Sequence, residues 1–211
     1  MTGFAYGNNL LIIFTPIYCS TMSETYFEEQ TFEGINIADG KFIKGHYEYC
    51  SFVSCDLSNG DLSNYQFTEC QFNNCNLSNS KVMNTSLNDT RFTGCKLLGI
   101  NFENCNTFLF TVSFNNCVLN YSSFYKRLLK KTHFIHCTMQ EVDFTDSDCT
   151  QCNFDHCDLL NTRFENTVLE KADFRTAINY SIDPEINRIK KAQFSIPGVI
   201  GLLNKYDIVI K

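Results

Sequence analysis

Residues 50–80 read CSFVSCDLSNGDLSNYQFTECQFNNCNLSNS, and a large apolar side chain returns in them at every fifth position: Phe52, Leu57, Leu62, Phe67, Phe72 and Leu77. Outward from this stretch the beat runs back through Tyr47, Phe42, Ile37 and Phe32 to Phe27, and forward through Val82, Leu87, Phe92 and Leu97 to Phe102. It resumes out of phase at Leu109 and continues through Phe114, Leu119, Phe124, Leu129, Phe134, Met139, Phe144, Cys149, Phe154, Leu159, Phe164 and Leu169 to Phe174. A period of five fits neither the 3.6 of an α-helix nor the 2 of a β-strand. It belongs to a solenoid, in which each short repeat buries its apolar side only by stacking on its neighbours.

Two further slots accompany the large residue. Two positions before it the side chain is usually small, as at Cys55, Gly60, Cys75, Ser80, Thr85, Cys117, Ser122, Thr167 and Ala172. Two positions after it stand Asn59, Asn64, Asn74, Asn79, Asn84, Asp89, Gly94, Gly99, Asn104, Asn116, Asp146, Asn161 and Asn166, residue types that accept positive φ or bond locally at a turn. Each pentapeptide therefore supplies a short extended edge, a turn and two inward side chains, and four edges close a square coil of twenty residues. Phe32, Phe52, Phe72 and Phe92 should form one column, and Phe114, Phe134, Phe154 and Phe174 another. About 7.5 coils at the ~4.8 Å strand spacing span ~36 Å.

This pattern resembles the pentapeptide-repeat family, often written A-[DN]-L-x-x, with Phe frequently in place of Leu and Cys in place of Ala, as in the CSF, CDL, CQF and CNL triplets above. The resemblance implies an all-β solenoid, the right-handed quadrilateral β-helix. The domain reading is residues 1–21 as an extension upstream of Met22, residues 22–194 as the β-helix with a phase break near 106–108, and residues 195–211 as a capping or dimerisation segment. Arg127 falls in a slot otherwise kept for small residues. Because an unpaired buried charge is costly, Tyr125–Lys131 is expected to bulge outward.

The net charge of −6 argues against a general nucleic-acid binder. Leu10–Tyr18 is apolar but too short to span a bilayer. Ten of the twelve cysteines occupy the small slot and Cys149 a large one, a usage that suits a reducing cytoplasm. Cys149 and Cys152 have CxxC spacing, and His136–Cys137 and His156–Cys157 look like ligand pairs, but the repeat points each Cys inward and its His outward. No cofactor, no metal site and no catalytic constellation is expected.

After Phe174 the beat changes. Ile189 and Phe194 lie twenty residues beyond Leu169 and Phe174, so a last modified coil stays in phase. Val199, Leu202, Leu203 and Tyr206 follow Ile196 at helical spacing, and Ile208 and Ile210 alternate as an end strand would. These seven residues are the candidate dimerisation set, because a capped monomer needs fewer apolar side chains. The segment FSIPGVIGLLNKYDIVIK resembles the C-terminus of Qnr-type and MfpA-type members, which implies a homodimer that binds DNA gyrase and topoisomerase IV by presenting a DNA-like acidic rod. Members that protect strongly from quinolones carry loops projecting from the coils, whereas here the slip near Thr107 adds only two residues. Duplex DNA would carry roughly 21 negative charges over ~36 Å, far more than this chain. Glu141, Asp143, Asp146, Asp148, Asp155 and Asp158, with no Lys or Arg among them, form the candidate partner surface. The alternative is a scaffolding protein with an unrelated partner.

Overall fold

The computed structural model describes residues 25–206 and 208–210, so the extension upstream of Met22 lies outside the described residues. The pentapeptide edges stack into four walls. Two of them are regular enough to form parallel sheets. The first wall carries Thr25–Glu28, Gly45–Glu48, Gln66–Thr68 and Ser86–Asn88. The second runs nine strands from Thr31–Glu33 to Gln193–Phe194. The third wall is a chain of single parallel bridges, Asn36 to Asp56, Asn76, Lys96, Val118, Thr138, Asp158 and Ile178. The fourth is bridged in the same way, Asn101 to Ser123, Asp143 and Arg163. Each coil is tied to the next in both directions, as where Leu57 N–H donates to Asn76 O at 2.7 Å and Asn76 N–H to Cys55 O at 2.9 Å.

The corners explain the residue found two positions after each large one. Asn59, Asn64, Asn74, Asn79, Asn84, Gly94, Gly99, Asn161 and Asn166 all have positive φ. Asn104 departs from this pattern, because the chain turns there through a 3-10 segment, Phe102–Asn104. Asparagines at one corner bond from coil to coil: Asn84 Nδ2 donates to Asn64 Oδ1 at 3.0 Å and Asn106 Nδ2 to Asn84 Oδ1 at 3.1 Å.

The interior is filled with rings. Along the second wall Phe32, Phe52, Phe72, Phe92, Phe114, Phe134, Phe154, Phe174 and Phe194 stack face to face at centroid spacings of 4.5–5.4 Å. The opposite wall repeats this with Phe102, Phe124, Phe144 and Phe164. Rings of the two walls meet edge to face, as Phe134 does with Phe124 at 5.8 Å and with Phe144 at 5.9 Å. Both geometries are favoured by the ring quadrupole. Where Leu and Val replace Phe, around Leu77, Val82 and Leu97, an apolar void of only about 20 Å³ remains.

The small slot has a polar duty as well. Its side chain donates to the carbonyl of the large residue one coil back: Cys75 Sγ to Phe52 O at 3.4 Å, Ser80 Oγ to Leu57 O at 2.7 Å, Thr85 Oγ1 to Leu62 O at 2.7 Å. The eleven described cysteines are free and buried, so they serve as thin side chains with a weak donor.

Two expectations fail at the phase break. Leu109 does not face inward; it turns out at positive φ and is 56% exposed, while Phe110 packs against the core and Phe102. The two extra residues let the chain place the larger side chain inside. Nor does Tyr125–Lys131 bulge outward. Arg127 is 3% exposed, and its guanidinium Nε donates to Phe102 O at 2.7 Å, its Nη2 to Cys105 O, with the Phe110 ring beneath it at 4.5 Å. It obeys the slot's rule with a longer donor, and the charge is met by carbonyls and a π face rather than left unpaired. Burial holds its pKa below the ordinary arginine value.

The tail also departs from expectation. Gly198–Leu202 and Asn204–Tyr206 are 3-10 segments, and Ile208 and Ile210 lie in no strand. Tyr180 plugs the end of the coil against Phe174 and Phe194. The 3-10 segment then crosses it at Gly198 and Gly201, with Ile182 N–H donating to Gly201 O at 3.0 Å. A Cβ on Gly201 would overlap the backbone carbonyl oxygen of Tyr180. Gly201→Ala is therefore expected to destabilise the cap by about 1–3 kcal/mol, read as a lower thermal midpoint. An unchanged midpoint would mean that the tail does not dock there.

Candidate functional site

Residues 141–158 make nearly one full coil, which brings the six carboxylates to one level of the rod but not to one face. Asp143 projects from the fourth wall, Asp148 from the first and Asp158 from the third, while Asp155 ends a second-wall strand. Glu141 and Asp146 sit exposed at left-handed corners, φ 55° and 57°. The ring is interrupted at the corner between the first and second walls, where Lys131, Gln151, Lys171 and Lys191 succeed one another, all with positive φ.

Half of the ring is tied into the rod itself. Burial pushes Asp148 upward, but bonds from Thr150 N–H and Oγ1 and the Lys130 ammonium at 3.3 Å outweigh it and hold the carboxyl below its ordinary pKa. Burial likewise opposes Asp158, yet Gln140 Nε2 and Asn179 Nδ2, each at 2.7 Å, keep it low. Asp155 is lowered chiefly by the Thr176 hydroxyl at 2.8 Å, with partial burial opposing and His156 assisting. Gln140, Thr176 and Asn179 come from the coils on either side, 18 to 21 residues away in the sequence. Asp143 accepts from Thr145 N–H at 2.8 Å and stands between Ser123 and Arg163 on the fourth wall.

The tail residues divide between cap and surface. Leu202 packs against the core, and Tyr206 is anchored by its hydroxyl to Glu185 at 2.9 Å. Lys205 bridges Asp183 and Glu185 at 2.7 and 2.6 Å. Ile196 is 91% exposed, and Val199, Ile200, Ile208 and Ile210 are also exposed, with Val209 at 84%. Leu203, Ile208 and Ile210 line an open hollow of about 210 Å³ with Ile200 and Asn204. The candidate dimerisation set thus contains two side chains tied into the cap, Leu202 and Tyr206, and several that a single chain leaves in water.

The Cys149–Cys152 pair is enclosed, with Cys152 Sγ donating to Leu129 O at 2.9 Å and burial raising its pKa well above the ordinary thiol value. Such a thiol is a poor nucleophile or ligand. His136 and His156 point outward, as the repeat dictates, but they come together: their rings stack at 4.8 Å, beside Asp155. The signal was present as a twenty-residue separation, which in this fold means one coil. Among the described residues no helix is long and apolar enough to cross a membrane.

The model for the pentapeptide repeat region matches residues 65–132, and that for pentapeptide repeats in eight copies matches residues 147–178. The coils continue unbroken between the two segments. No curated protein matches the sequence. Among solved structures, two trypsin-treated forms of QnrB1, described as a plasmid-mediated fluoroquinolone resistance protein, are similar at a TM-score of 0.57, with 16% and 15% identity. Those alignments cover 88% of this chain and 97% and 98% of theirs. HetL, a pentapeptide repeat protein involved in heterocyst differentiation regulation in the cyanobacterium Nostoc sp., aligns at 0.42 with 11% identity over 83% of this chain and 86% of its own. At 16% and 15% identity the likeness to QnrB1 is one of fold. With the five-residue beat, the left-handed corners and the stacked interior all present, the chain belongs to the pentapeptide-repeat family.

Proposed function

We propose that this protein acts through its outer surface as a non-enzymatic interaction protein of the cytoplasm, a dimeric acidic rod that engages a type II topoisomerase of the DNA gyrase or topoisomerase IV kind in place of DNA. The observation that carries the reading is the level of carboxylates from Glu141 to Asp158, which presents negative charge on all four walls of the rod. Charge so arranged raises the encounter rate with a basic groove. The exposed Ile196, Val199, Ile208 and Ile210 support a two-fold pairing of rod ends, which would bring two such levels into one particle. The fold shared with QnrB1 agrees with this reading.

The test is a supercoiling assay with purified gyrase. Inhibition is expected, and it should weaken when Glu141→Gln, Asp143→Asn and Asp146→Asn are combined, since these carboxylates are the ones least committed to neighbouring coils. No inhibition at high micromolar protein would remove the topoisomerase reading. That outcome would favour a scaffold with another partner, for which the internal bonding of Asp148, Asp155 and Asp158 already speaks.

A further inference from the structure

His136 and His156 hold the same corner of consecutive coils. Each follows a second-wall strand, His133–Ile135 and Asn153–Asp155, and each turns at positive φ, 52° and 51°. The backbone at this corner is fixed by the coil-to-coil ladder, His136 N–H donating to Asp155 O at 2.8 Å and His156 N–H to Thr176 Oγ1 at 2.9 Å. Both imidazoles therefore leave a rigid edge side by side, 4.8 Å apart with 29° between their planes. Asp155 lies beside them, less exposed than either ring, its Oδ1 2.9 Å from His156 Nδ1 and accepting from the Thr176 hydroxyl at 2.8 Å. One nitrogen of each ring and one carboxylate oxygen all lie within 4.8 Å of one another.

We propose that His136, Asp155 and His156 form a surface site for a divalent transition-metal ion of the Zn²⁺ class, with one coordination position left open. Two imidazoles and a carboxylate are a donor set for zinc, nickel or copper rather than for calcium or magnesium, which take oxygen ligands. Zinc bonds of about 2.0–2.2 Å in tetrahedral geometry set ligand atoms about 3.4 Å apart; the 2.9 Å Asp155–His156 pair opens slightly, no separation exceeds 4.8 Å, and rotation of the side chains makes both adjustments without moving the backbone. Thr176 provides the outer hydrogen bond that orients a ligating carboxylate. The eleven described thiols cannot compete, because all are buried inside the coil. The open position would admit water, or a side chain from a protein docked on this corner.

Zn²⁺ and Co²⁺ titrations of the full chain test the site by calorimetry and by absorption. One equivalent is expected, with a Co²⁺ spectrum of nitrogen and oxygen ligation that lacks a thiolate charge-transfer band. His136→Asn, His156→Asn and Asp155→Asn should each weaken Zn²⁺ binding at least about ten-fold. The histidine variants keep the fold, since Asn116 occupies the same corner one coil earlier at φ 52°, and circular dichroism confirms it. Absence of saturable binding overturns the proposal. So does affinity unchanged in both histidine variants, or a thiolate band that persists in them and places the ion on sulfur.

Discussion

Phe134→Asp is expected to abolish the native fold at room temperature, seen as loss of the β-sheet circular dichroism signal and of any cooperative urea transition. The Phe134 ring is 0% exposed. It lies between Phe114 at 5.3 Å and Phe154 at 5.2 Å in its own wall, and it meets two rings of the opposite wall edge-on. Removing such a ring costs about 3–5 kcal/mol through lost burial and an unfilled cavity. A carboxylate in its place has no donor to meet it and adds several kcal/mol more. A domain whose whole stability is about 5–15 kcal/mol does not survive that sum. Position adds to the effect, because a solenoid holds together through nearest neighbours and this coil is central. The control is the same substitution one residue earlier. His133 faces solvent, so His133→Asp should change stability by no more than about 0.5 kcal/mol. A cooperative, native-like transition in Phe134→Asp would refute the inward assignment of the second-wall rings.

The interior was legible in the sequence because an in-register parallel coil gives residue i and residue i+20 the same surroundings. Phe52 sees what Phe72 sees, so a spacing is enough to identify a wall. Legibility ended wherever this equivalence broke. Counting back by five from Phe114 lands on Leu109, but an insertion of two residues frees the chain to choose, and Phe110 fills the core better than Leu109 would. The tail has helical spacing from Val199 to Tyr206, yet Gly198 and Gly201 dock on Tyr180 and the segment tightens into 3-10 turns. Ile208 and Ile210 alternate like a strand, but alternation makes a strand only when a neighbouring edge accepts its hydrogen bonds. In the candidate site, the level of the carboxylates could be read from numbering alone. Their hydrogen bonding could not, because Gln140, Thr176 and Asn179 reach Asp158 and Asp155 across coils through rotamers that no period encodes. The meeting of His136 with His156 lay within reach of the twenty-residue rule, which pairs outward side chains as strictly as inward ones.

Arg127→Ala is the second large effect, a loss of about 3 kcal/mol in urea unfolding, and its size depends on what the small slot does. Were the slot only a place for small side chains, alanine would suit it better than arginine and the variant would be more stable. The geometry says otherwise. In coil after coil the slot returns a hydrogen bond to the carbonyl of the large residue one turn back, from sulfur, hydroxyl or, at Asn187, an amide at 2.8 Å from Phe164 O. Arg127 gives that bond to Phe102 O and a second to Cys105 O, and its planar group covers the Phe110 ring in the coil that carries the slip. Alanine strands Cys105 O, at about 1–3 kcal/mol before relaxation, removes one of the two bonds to Phe102 O, which keeps the Cys105 N–H at 3.0 Å, and empties the space the side chain fills. Against this stands the relief of no longer burying a charge, which keeps the net loss near the lower end of the sum. Serine separates the contributions. Arg127→Ser restores a donor toward Phe102 O, as Ser122 does for Leu97 O at 2.8 Å, and should recover about 1 kcal/mol of the alanine loss. It leaves Cys105 O unmet and the space empty, so full recovery is not expected. If alanine matched or exceeded the parent in stability, the arginine would be tolerated rather than used. The two-residue slip and the long side chain reaching into it would then be independent accidents instead of one feature.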